Sequence, residues 1–144
     1  MKQSPFQRDD LIFETEIRSR PALREAVLDE VLGLLESRGC TLDAFFDRLC
    51  LDEGILNAIL HGNAGDENKR VQVRVFQNTS RWGVEIEDEG PGFDWQTAVA
   101  RKPEELDQES SGGRGVALIA ASGADVLYLD GGRRLLISRK NAGS

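Results

Sequence analysis

The stretch VQVRVFQNTSRWGVEIEDEGPGF, residues 71–93, decides the fold. Val71, Val73 and Val75 alternate with Gln72 and Arg74, and Val84 and Ile86 alternate with Glu85 and Glu87. That period of two belongs to strands with one buried face. Asn78-Thr79-Ser80 between them is a turn signal, so the two runs read as neighbouring antiparallel strands. Gly90-Pro91-Gly92 then breaks the chain.

Toward the N-terminus, Leu11 to Ile17 reads as a first strand, with Ile12, Glu14 and Glu16 set against Leu11, Phe13 and Ile17. Pro21 fits the first turn of a helix, where its missing N–H would be unpaired anyway. Leu23, Val27, Val31, Leu34 and Leu35 follow at helical spacing, and Gly39 stops that helix. Thr41 is placed to cap a second helix running to about His61, with Leu42, Phe45, Leu49, Leu56 and Ile59 along one face; Gly62, Asn63, Gly65 and Asp66 end it. Toward the C-terminus, residues 94–111 read as a short helix and a polar loop. Gly112-Gly113-Arg114-Gly115 opens a short apolar helix, Val116 to Ala121. Strands Ala124 to Leu129 and Arg133 to Arg139 meet at Asp130-Gly131-Gly132, a hairpin signal. Helices followed by hairpin-linked strands predict an α+β sandwich: one mainly antiparallel sheet with helices on one face.

The 144 residues suit a single domain, 1–144, with a core over about 11–140. With 40% hydrophobic and 30% charged residues the chain has the composition of a globular domain. No run approaches the ~20 apolar residues of a membrane span, and the start MKQSPFQRDD has no apolar signal stretch. The expectation is a soluble, cytoplasmic protein without membrane contact. A net charge of -7 argues against tracking a phosphate backbone, so no direct nucleic-acid partner is expected. Cys40, Cys50 and the single histidine, His61, have no zinc-site spacing, and both cysteines read as reduced.

Three segments carry chemistry. On the second helix Glu53, Asn57 and His61 fall on one stripe, at the border of an apolar face marked by Leu49, Leu56 and Leu60. Such polar groups either bond neighbouring backbone or serve a ligand: an oxygen donor beside a carboxylate suits magnesium, and the carboxylate suits a general base. His61 reads as structural. At the end of the strand 84–87, alternation puts Asp88 on the side of Val84 and Ile86, with Glu85, Glu87 and Glu89 opposite. An inward carboxylate needs a donor: either the following turn, which it caps, or the exocyclic amine of a purine, which Gly90 and Gly92 let approach. Last, the glycines 112, 113 and 115 before a helix read either as a flexible connector or as a row of N–H groups facing a phosphate, with Arg114 adding charge. The spacing is not that of a P-loop.

In this order the segments E-x-x-x-N-A-I-x-H-G-N (Glu53 to Asn63), D-x-G-x-G-F (Asp88 to Phe93) and G-R-G-V-A-L-I (Gly113 to Ile119) resemble the three nucleotide boxes of the GHKL ATPase superfamily, from about Phe13 to Lys140. Within it the chain resembles the anti-sigma-factor serine/threonine kinases. The resemblance implies the two-layer Bergerat fold and ATP with Mg²⁺ as cofactors. It gives Asn57 the metal, Asp88 the adenine amine, Gly90 and Gly92 the base pocket, and Gly113, Arg114 and Gly115 the triphosphate, under a lid over about 101–112 with Arg101 and Lys102 as candidate phosphate contacts. Glu53 would be the general base acting on a serine of a STAS-domain anti-sigma-factor antagonist. A sigma factor would be the competing partner, and a homodimer is implied. Many relatives carry a last-strand threonine that reaches adenine through water; near that place this chain has Leu135-Leu136-Ile137, with Ser138 the nearest hydroxyl. Where relatives often read Met-Asp-Glu before the penultimate strand, this chain has Gly123-Ala124-Asp125. A second reading is a non-catalytic, ATP-gated protein-binding module of the same fold. The catalytic domain of a sensor histidine kinase is disfavoured, because the lone His61 lies inside the nucleotide stripe.

Overall fold

The structure is a computed structural model that describes residues 3–91 and 124–141. Five strands form one sheet: β1 (Leu11–Arg18), β2 (Arg70–Gln77), β3 (Arg81–Glu87), β4 (Asp125–Leu129) and β5 (Arg134–Lys140), in the order β1-β2-β3-β5-β4 with every pair antiparallel. Two helices, α1 (Arg24–Ser37) and α2 (Ala44–Asn57), complete the described part of the α+β sandwich. The β2–β3 hairpin closes where expected: Asn78 Oδ1 accepts from the backbone N–H groups of Ser80 and Arg81, at 2.9 Å each. The alternation is obeyed as well, with Val71, Val73, Val75, Val84 and Ile86 all buried against Val27, Val31, Leu35, Leu51, Ile55 and Ile59 of the helical layer.

The second helix differs from its sequence reading in two ways. Its cap is Asp43 rather than Thr41; the Asp43 side chain accepts from Phe46 N–H, whereas the Thr41 carbonyl receives the indole N–H of Trp82 at 2.8 Å. Its inner face is also rotated. Asp47, Cys50, Leu51, Gly54 and Ile55 are buried, while Phe45 is 71% exposed and Leu49 and Leu56 are only half-buried. The reason is that two inner positions look polar or empty in the sequence. Gly54 lets the helix settle onto β3 and β5, for a Cβ there would lie 2.9 Å from Ile86 Cδ1 and 3.1 Å from Leu135 Cδ2. Asp47 goes inside because Arg139 of β5 forks onto its carboxylate, with Nη2 at 2.6 Å from Oδ1, and Asp43 N–H adds a bond at 2.8 Å.

The opposite face of the sheet is not simply solvated. Glu85 lies there, across from the helices, yet is buried: Arg74 holds it at 2.8 Å and Arg134 at 3.6 Å. Arg74 is its direct cross-strand partner, so the register itself supplies the counter-charge. Next to it Phe6 stacks on Phe76, with ring centroids 5.3 Å apart, and covers Gly83.

Arg139→Met should lower the unfolding free energy by about 3 kcal/mol or more, because it strands the Asp47 carboxylate in the interior. Urea titration checks this. Adding Asp47→Asn to that variant should restore part of the loss.

Candidate functional site

The site is built where the end of α2 meets the end of β3. After Asn57 the helix widens into a π-helical turn, Ala58–Gly62, in which Asn63 N–H bonds the Ala58 carbonyl at 2.8 Å. Such wide turns re-aim side chains and are frequent at functional positions. Gly62 lies directly on Asp88: a Cβ at Gly62 would fall 2.2 Å from Asp88 Oδ2, and a Cβ at Gly90 would fall 1.9 Å from the Gly62 carbonyl oxygen. Both positions therefore require glycine.

Asn63 fastens this contact. It is completely buried and uses both ends of its amide. Nδ2 donates to Ser19 Oγ at 2.9 Å and to the Arg70 carbonyl at 3.0 Å, while Oδ1 accepts from Glu89 N–H at 2.8 Å. One side chain thus joins the end of β1, the start of β2, the end of the helix and the residue after Asp88. Ser19 Oγ in turn donates to the Lys69 carbonyl at 2.7 Å. Ser19 does not stand out in the sequence by residue type, and Asn63 is legible there as a helix-ending residue and as the last letter of E-x-x-x-N-A-I-x-H-G-N, not as a buried fastener.

Asp88 sits half-buried with its own N–H bonded to the Arg133 carbonyl at 3.0 Å. Oδ1 accepts from Gly90 N–H at 2.8 Å, so the carboxylate does cap the following turn, which leaves Oδ2 for a further donor. Burial pushes its pKa above the ordinary value; the Gly90 N–H, the Arg133 guanidinium and the Lys69 ammonium pull the other way.

Glu53 and Asn57 are both half-buried on the flank of α2, beside the Gly54 position that touches β3 and β5. The Asn57 side-chain nitrogen is buried with no hydrogen-bond partner among the described residues. An orphan donor of this kind costs about 1–3 kcal/mol until an acceptor arrives, and a phosphate oxygen is such an acceptor. Its Oδ1 is a hard oxygen donor. Among the described residues no cluster of three or more His, Cys, Asp or Glu side chains is able to hold a metal by itself. The donor set fits a magnesium ion that takes its remaining ligands from phosphates and water, and does not fit a free-standing metal centre. His61 is exposed at the end of the π turn. Gly92, the 101–112 lid, Gly113, Arg114 and Gly115 lie outside the described residues.

The last strand forms where expected, and its nearest hydroxyl, Ser138, faces away from α2. Ser138 pairs with Gly83 and accepts from Arg81 Nη1 at 2.5 Å, on the face covered by Phe6, away from α2. The register Ile86↔Leu135 and Glu87↔Arg134 puts Arg133, not residues 135–137, next to Asp88. The antiparallel count had to be known from coordinates before that neighbour was identifiable.

These features define a GHKL-type nucleotide-binding sandwich, a helix and a strand end meeting around one inward acid. Residues 17–139 match the family model described as the histidine kinase-like ATPase domain, and the chain belongs to that family. ATP binding comes with that membership. No curated protein matches the chain. Among the described residues no helix is long and apolar enough to cross a membrane.

Two outcomes follow from this geometry. Gly62→Ala should destabilise the fold by about 1–3 kcal/mol by overpacking against the carboxylate, and the loss should shrink in an Asp88→Ala background, as a double-mutant cycle would measure. Asp88→Asn should raise the melting temperature at pH 7. An acid whose pKa is raised on folding favours the fold while protonated and disfavours it once ionised, so the gain should fade as pH falls toward the ordinary carboxyl value of 3.8.

Proposed function

We propose that the protein is an ATP-binding anti-sigma factor and protein serine kinase that phosphorylates a STAS-domain anti-sigma-factor antagonist in the cytoplasm, with Mg²⁺ as the accompanying ion and a sigma factor as the competing partner. The observation that carries the nucleotide half is the Gly62–Asp88–Gly90 contact, which holds one carboxylate oxygen ready for an exocyclic amine. Asn57 supports the phosphate end: its side-chain nitrogen, unpartnered among the described residues, suits a phosphate oxygen and its Oδ1 suits the ion. A bound Mg²⁺ would supply charge neutralisation between the β- and γ-phosphates. The kinase half is supported by Glu53, one helical turn before Asn57 on the same flank.

In this mechanism Asp88 orients the purine, so that the triphosphate runs back along α2 toward Asn57 and Glu53. The serine hydroxyl oxygen of the antagonist forms a bond to the γ-phosphorus as the bond to the β-bridging oxygen breaks. Glu53 takes the hydroxyl proton, and ADP leaves with the bridging oxygen. Positioning is the larger part of the work. Phosphoryl transfer needs an in-line approach more than covalent help from the protein, and α2 is held by Asp47–Arg139 at one end and by Asn63 at the other.

Calorimetric titration with ATP and Mg²⁺ should show binding that weakens by tenfold or more in Asp88→Asn, about what loss of a charged acceptor opposite an amine costs. With a cognate antagonist and labelled ATP, Glu53→Ala should bind ATP as the unaltered chain does and form phosphoserine roughly 100-fold more slowly. Intact ATP binding with no phosphoserine from the unaltered chain would leave the non-catalytic, ATP-gated binding module in its place.

A further inference from the structure

We propose that Arg133 reads the nucleobase beside Asp88, donating a hydrogen bond to the ring nitrogen adjacent to the amino group that Asp88 accepts; this rests on the nucleotide reading above and adds its base specificity. The placement comes from the strand register. Ile86 faces Leu135 and Glu87 faces Arg134, and the next step of the ladder is closed by Asp88 N–H on the Arg133 carbonyl at 3.0 Å. Ile86 and Leu135 meet α2 at Gly54, and Asp88 and Arg133 come two residues further along the two strands, at the rim of the same site. Gly131 and Gly132, with φ of 63° and 97°, shape the tight β4–β5 turn that delivers Arg133 there. The charge of its guanidinium reaches the Asp88 carboxyl, as does that of Lys69.

Arg133 is also uncommitted enough to serve a ligand. It is exposed, and the one hydrogen bond of its side chain among the described residues is a long one, Nε to the Asp130 carbonyl at 3.5 Å. Its neighbour Arg134, by contrast, is engaged with Glu85 and Asp130. A guanidinium carries five donors in a planar fork and no acceptor.

The chemistry of the two groups matches one base edge. Adenine presents an amino donor next to a ring-nitrogen acceptor, and a carboxylate next to a guanidinium is the complement of that order. Guanine presents the reverse order, a carbonyl acceptor next to a ring N–H donor, which would set its carbonyl oxygen against the Asp88 carboxylate. A site built to pair polar groups rejects the partner that leaves them unpaired. The Asp88–Arg133 pair therefore selects ATP over GTP.

The test uses the full chain, ATP, and 1-deaza-ATP, in which the ring nitrogen is replaced by CH. The unaltered chain should bind 1-deaza-ATP about tenfold more weakly than ATP, the scale of one hydrogen bond to a charged donor. Arg133→Met keeps the alkyl stem and removes the donors. It should bind ATP about tenfold more weakly than the unaltered chain, bind ATP and 1-deaza-ATP alike, and prefer ATP over GTP less strongly, keeping the part of that preference that Asp88 supplies. If Arg133→Met binds ATP as tightly as the unaltered chain, or weakens both nucleotides equally, the assignment is overturned while the nucleotide reading stands. If the unaltered chain binds no ATP, both fall together.

Discussion

The carbonyl oxygen of Gly62 occupies the place where any side chain on residue 90 would begin, and the Asp88 carboxylate occupies the place where a side chain on residue 62 would begin. Two stretches of chain about twenty-five residues apart are thereby pressed backbone against backbone. This is what brings the helix with Glu53 and Asn57 to the strand with Asp88. A single methyl group at either glycine would separate them, because protein interiors have no slack to absorb it. Every chemical role assigned to the site depends on that proximity.

Close contact of this kind exposes polar backbone to burial, and the buried asparagine resolves it. Asn63 satisfies donors and acceptors from three other segments at once, with an amide that carries no charge to desolvate. The π turn just before it shifts the end of the helix out of ordinary register, which lets Asn63 point inward and Gly62 lie flat on Asp88. The result is an acid whose neutral form is favoured by burial but which stays surrounded by donors: one amide and two cations. In the proposed nucleotide reading, such a group would accept an amine without being neutralised in advance by a direct ion pair.

The two faces of the sheet are organised by different forces. The inner face is a dry layer of valine, isoleucine and leucine under two helices. The outer face combines a Phe6–Phe76 stack with a charged cluster in which Glu85 is buried between two arginines. Removing one member of such a cluster is costly even where the whole adds little net stability.

How much was legible in the sequence follows from which interactions are local. Strand alternation, the Asn78 turn, the β4–β5 hairpin and the order of the three motif segments depend on residues close in the chain, and the α+β class and the histidine kinase-like ATPase family could be read from them. The inner face of α2 could not, since it is set by Arg139, about ninety residues away, and by a glycine that carries no hydrophobic signal. Nor could the partner of Asp88. Which residue of β5 stands next to it is a matter of antiparallel register, and a shift of one residue exchanges Arg133 for Arg134 and one face of the sheet for the other. Chain-local chemistry determined the elements and the motifs; long-range register and backbone contact decided which side chains share the site.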